Sequence, residues 1–127
     1  MTVWVLPEIV LAIHDRQIAE HGGAPGMRDM GLVLGALARL ENLAAHGAPA
    51  VHELAAAHAW GLVRDHGFIN GNKRTAYVTA RLFLELNGHS LTAAASERVL
   101  VFTDAGAGRI TEQEFMQWFA RNTRPKP

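Results

Sequence analysis

The chain has 127 residues, 12 Lys and Arg against 12 Asp and Glu, no cysteine, and 49% hydrophobic side chains. That length suits one domain around a single core, and the missing cysteines exclude a disulfide framework, a thiolate metal site and a cysteine nucleophile. A formal charge of zero argues against a protein that coats nucleic acid or an anionic membrane. Residues 1–15 are apolar but carry Pro7 and Glu8, with no basic segment and no small-residue cleavage site. No uncharged stretch reaches the ~18 residues of a membrane span, so a soluble, cytoplasmic protein with no membrane partner is expected.

The periodicity is helical almost throughout, which predicts an all-α bundle of about six helices. Pro7 opens the first, with Ile9, Val10 and Ile13 on one face, and Gly22-Gly23 closes it. Residues 22–28 form a loop. Asp29 caps a second helix carrying Val33, Leu37, Leu40 and Ala44, which Gly47 and Pro49 end. An Ala-rich third helix runs from about Pro49 to Arg64, with Leu54 and Trp60 as its larger anchors. An irregular segment, residues 65–71, leads to a fourth helix from about Asn72 to Asn87. Ala76, Ala80, Phe83 and Leu84 line one side of that helix and Val78, Leu82 and Leu86 lie elsewhere, so it should be the buried centre, holding the loop before it rigid. Two more helices follow Gly88. The last starts at Thr111, with Glu114 completing a capping box, Ile110 and Phe115 as a staple, and Phe115, Trp118 and Phe119 as its apolar stripe. Residues 121–127 read as a frayed tail.

Seven histidines invite a metal reading, but His46, His52 and His58 are spaced six apart, roughly 240° of rotation on a helix, and share no face. The run from His52 to His58 lacks the i+4 histidine of a zinc helix, Ala56 standing there. Asp104 is the only acid in the Gly-rich run 104–108, too few oxygen donors for a calcium loop. His14 reads as a satisfied structural histidine or a surface one.

One segment carries chemistry: His66-Gly67-Phe68-Ile69-Asn70-Gly71-Asn72-Lys73-Arg74. Gly71 permits unusual backbone angles just before a helix, so several N–H groups can converge into a phosphate-holding nest. Lys73 and Arg74 put two cations where they oppose the helix dipole, a placement that an anion relieves. His66, where the third helix ends, is a candidate general base, and Phe68 points inward to pin the loop. Asn70 and Asn72 offer carbonyl oxygens for a hydrated magnesium ion or amide donors for phosphate oxygens. The chain has 10 Arg and two Lys, and its one internal Lys sits in this nest, where a compact ammonium fits and a guanidinium fork would be too large.

This segment resembles the signature of the Fic/Doc (Fido) superfamily, His-x-Phe-x-(Asp/Glu)-Gly-Asn-Gly-Arg. Asn72-Lys73-Arg74 is similar to its Doc branch, the death-on-curing toxins, where Lys replaces the second Gly. The likeness extends over Ile13-His14-Asp15, His21-Gly22-Gly23-Ala24-Pro25-Gly26, Ala36-Leu37-Ala38-Arg39 and residues 75–88, covering roughly residues 4–119. It implies a compact Fido-type bundle whose motif loop enters a central helix. It also implies a toxin that uses ATP with Mg2+ to phosphorylate a threonine of elongation factor Tu, arresting translation, and that a short antitoxin neutralises through a flexible C-terminal segment. Direct nucleic-acid binding is not part of this picture.

By resemblance His66 deprotonates the target hydroxyl, while Gly71, Asn72, Lys73 and Arg74 hold the ATP phosphates. The family's acidic, magnesium-binding position is Asn70 here, which keeps open a catalytically weakened, antitoxin-binding module beside the kinase. AMP transfer of the Fic kind is the other alternative. Glu41-Asn42 matches the end of a self-inhibitory Fic helix, but Leu37 stands at its hydroxyl position, which argues against self-inhibition.

Overall fold

A computed structural model describes residues 1–127 and contains six helices: α1 (Pro7–His21), α2 (Met30–Ala45), α3 (Val51–Asp65), α4 (Asn72–Leu86), α5 (Ala95–Gly106) and α6 (Glu112–Asn122). Two short strands complete it, β1 (His89–Leu91) and β2 (Thr123–Pro125). No helix is long and apolar enough to cross a membrane.

Pro7 occupies the first turn of α1, and Gly22, at φ 80°, ends it by donating its N–H to the Ile18 carbonyl. The inward stripe of α1 differs from the apolar pattern: Val10, His14 and Gln17 are buried, while Ile9 is exposed. Hydrophobic periodicity cannot find a stripe in which two of three members are polar. Asp29 caps α2 by accepting the Gly31 N–H at 2.8 Å, and α2 buries Val33, Ala36, Leu37 and Leu40.

Helix α4 is buried along Thr75, Ala76, Thr79, Ala80, Phe83 and Leu84, but Leu86 is exposed and the centre is shared with α3. Helix α3 packs on α2, α4, α5 and α6 and buries Leu54 through Ala59 and Gly61 through Val63. Its small residues make this possible. A Cβ at Gly61 would lie 2.9 Å from the Ala36 Cβ, closer than two carbons can pack, so the bare Gly61 lets α3 approach α2 closely there.

The tail is ordered rather than frayed. Residues 123–125 pair antiparallel with His89–Leu91, Thr92 N–H donates to the Asn122 carbonyl, and Lys126 N–H donates to the Gly88 carbonyl. Lys126 Nζ also meets Glu85 Oε2 at 2.9 Å. Three-residue strands are too short to leave a periodic signal, and this pairing depends on a fold that brings the two ends together. The last helix does start as its sequence predicts: Thr111 and Glu114 exchange hydrogen bonds of 3.1 and 2.9 Å, and Phe115 and Phe119 enter a ring cluster with Phe102 and Trp118.

The 24 buried apolar residues form one continuous cluster. Within it lies a polar exception: His58 on α3 is 0% exposed, with neither ring nitrogen hydrogen-bonded. Burial alone pushes its pKa down from 6.5 to about 4. Between those values the unfolded chain takes a proton that the folded chain refuses, so stability falls as pH drops through this window, by about 3 kcal/mol when complete. Urea midpoints measured from pH 7 to pH 4 should show this decline, and His58→Leu should remove it; parallel profiles for the two proteins would contradict the assignment.

Candidate functional site

Helix α3 ends at Asp65, and His66 turns the chain through the left-handed region at φ 51°, ψ 47°, the only non-glycine residue with a positive φ. For an L residue this conformation costs about 1–2 kcal/mol, so the loop is held by its surroundings. Burial raises the neighbouring Asp65 carboxyl above its ordinary pKa, and Arg39, His66 and Arg64 partly offset that rise.

Three sets of contacts hold the loop. Residues 26–29 lie alongside it: the Gly67 carbonyl accepts from the N–H groups of Arg28 (2.8 Å) and Asp29 (3.2 Å), and Ile69 N–H donates to the Gly26 carbonyl (3.2 Å). A side chain at Gly67 would place its Cβ 2.7 Å from Val33 Cγ2, so this approach requires glycine. Helix α1 supplies the second set. The Phe68 ring, 1% exposed, stacks on His14 with centroids 3.8 Å apart and planes 8° from parallel, and His14 Nε2 lies 2.7 Å from the Asn70 carbonyl oxygen. The third set is internal. The Asn72 side chain accepts the Phe68 N–H at 3.0 Å and donates to the Phe68 carbonyl at 2.9 Å.

Gly71, at φ 79°, ψ 15°, caps α4, and the N–H groups of Gly71, Asn72, Lys73 and Arg74 have no hydrogen-bond partner in the chain. No acid stands in the first turn to complement them. Four free donors at a helix start are the kind of arrangement that can receive an anion. Lys73 is exposed beside it, and its stem passes close to Gly106. Arg74 is half-buried and donates to the Gly22 carbonyl at 3.0 Å.

Two polar cavities flank Lys73. One, of about 460 Å³, is lined by His21, Gly22, Gly23, Arg74 and residues 70–73, with no hydrophobic side chain. The other, of about 400 Å³, brings His66 to the same residues 70–73 and adds Thr103, Gly106 and Arg109 from the end of α5 and the turn beyond it. The structure thus gathers His66, Asn70, Gly71, Asn72 and Lys73 around one space, while Arg74 lines the other. Phe68 lies under the loop as its anchor.

The two asparagines do different work from the one their sequence positions offered. The Asn72 amide clamps Phe68, leaving its backbone N–H for an anion. Asn70 Oδ1 accepts the Ala24 N–H at 2.7 Å and its Nδ2 donates to the Ile69 carbonyl at 2.9 Å, tying the glycine-rich loop 22–26 to the motif loop. A magnesium ion needs hard oxygen ligands, usually carboxylates, and no Asp or Glu lines either cavity. The residues present therefore do not form a protein-held magnesium site.

His14 is the satisfied structural histidine of the two readings its sequence offered, and it positions the loop. Two contributors escape the sequence reading: His21, the last residue of α1, and Arg109, in the turn after α5. Only the run of glycines after His21 marks the first, and no signal marks the second.

Comparison with known proteins identifies relatives of the chain. A model of the Fic/DOC family matches residues 4–84. The chain is 36% identical over 85 residues to "Protein kinase doc" of Escherichia phage P1, an alignment spanning 66% of this chain and 68% of that protein. It is 40% identical over 75 residues to "Toxin Doc" of Mycolicibacterium smegmatis, spanning 57% of each chain.

Proposed function

This chain belongs to the Fic/DOC family, and we propose that it is the toxin of a toxin–antitoxin pair, a protein kinase that moves the terminal phosphoryl group of ATP to a Ser or Thr hydroxyl of a translation factor. The observation that carries this reading is the juxtaposition of a candidate base, His66, with a nest of four free backbone donors and Lys73 around one cavity. The relative named a protein kinase supports the choice of phosphoryl transfer over AMP transfer.

In this mechanism Gly71, Asn72, Lys73 and Arg74 hold the polyphosphate, the first two through backbone N–H groups. His66 accepts the proton of the incoming hydroxyl, whose oxygen bonds to the terminal phosphorus as the bond to the bridging oxygen breaks and ADP leaves. Holding the phosphates in place does most of the work, which explains the contacts given to the loop. By family resemblance the acceptor is a threonine of elongation factor Tu and the partner is a short antitoxin with a flexible C-terminal segment.

Induced expression should arrest bacterial growth and protein synthesis, and His66→Asn should relieve the arrest. Wild-type expression without arrest would favour the alternative, an antitoxin-binding module whose turnover is weakened by the neutral Asn70.

A further inference from the structure

The family's acidic position is neutral here, and the consequence reaches beyond one residue. Neither cavity beside Lys73 has an acidic lining residue, and none lines the adjoining cleft of about 280 Å³ between α4 and α5. The cations are Lys73, Arg74, Arg98 and Arg109. Asn70, where a metal-holding carboxylate would stand, is bonded through both ends of its amide to backbone groups. A nucleoside triphosphate brings about four negative charges, and something must neutralise them for phosphoryl transfer.

We infer that this site takes the polyphosphate without a divalent cation, with Arg109 supplying the positive charge that a metal otherwise brings. This rests on the reading of the nest as a nucleotide site. Arg109 is placed for the role. It lines the His66 cavity, its side chain is 68% exposed, and its one ionic contact is a long 3.4 Å approach to Asp104 Oδ1. Its guanidinium is therefore free to fork onto phosphate oxygens. With Lys73 lining the same cavity, two cations hold the group to be transferred while Arg74 serves the neighbouring cavity.

Calorimetric titration of the full chain with ATP, in EDTA and then in Mg2+, tests this without reference to turnover. Wild type should bind in EDTA, with an affinity within about threefold of that in Mg2+, and Arg109→Gln should weaken the EDTA affinity by about tenfold, the loss expected for one charge-assisted bond. Inorganic tripolyphosphate should behave as ATP does. Asn70→Asp should create a metal dependence, binding ATP more weakly in EDTA than in Mg2+. Binding by wild type only in Mg2+, or an Arg109→Gln affinity unchanged in EDTA, would overturn the inference and leave the nest reading intact. Absence of binding in both buffers would overturn the nest reading itself, as would a Lys73→Ala variant that binds as wild type does.

Discussion

Replacing His66 with asparagine is expected to slow phosphoryl transfer by about a hundredfold to ten-thousandfold, the contribution of a positioned general base, while leaving the fold intact. Asparagine is the informative substitute because His66 sits at φ 51°. Asparagine tolerates the left-handed region, whereas alanine there adds about 1 kcal/mol of backbone strain and would mix a folding defect with a catalytic one. The rate of label transfer from ATP to protein, read beside a thermal melt, separates the two effects. Since His66 lines the cavity with Lys73 and its side chain makes no hydrogen bond that holds the loop, ATP affinity should change little. A variant that keeps its rate would remove His66 from the chemistry, and one that loses ATP binding would make it part of the nest.

The second large effect belongs to Phe68. Truncation to alanine should cost about 3–5 kcal/mol, the range for emptying a buried aromatic site. The ring is 1% exposed and stacks on His14, which in turn meets the Asn70 carbonyl, so its loss releases both the anchor and its bracket. The destabilisation should therefore be coupled to a loss of phosphate affinity even at temperatures where the variant is folded. Phe68→Leu, which keeps an apolar filler but no ring to stack, should recover part of the stability and less of the affinity. Chemical denaturation and ATP titration on the three proteins would check both. Equal affinity in all three would mean that the nest holds its shape without the His14 stack.

Much of this architecture is written locally. Pro7 and Gly22 bound α1, Asp29 caps α2, and Thr111 with Glu114 starts α6, because each signal acts through bonds to residues at most four positions away. The helix start that we propose as the nest is legible for the same reason: Gly71 and the cations after it lie within four residues of one another. What the sequence conceals depends on how the chain is folded. Asn72 and Asn70 look alike as amides near a phosphate, and only the fold shows one clamping Phe68 and the other meeting Ala24, 46 positions away. The burial of His14 is decided by the loop it supports, so a hydrophobic pattern reads past it. The strand pair that orders residues 123–125 joins segments more than thirty positions apart and has no local signature. Arg109 is an unremarkable cation in sequence and becomes a site residue only when the turn after α5 comes to rest beside His66.

The central claim is that His66 and the nest of α4 direct the terminal phosphate of ATP to a protein hydroxyl. Its most direct measurement is label transfer to purified elongation factor Tu from ATP labelled at either the terminal or the α phosphate, with wild type and His66→Asn in parallel. The expected result is terminal-phosphate label on a threonine of the target, no α label, and loss of the signal in the variant. Label from the α phosphate on the target, or terminal label that survives His66→Asn undiminished, would contradict it.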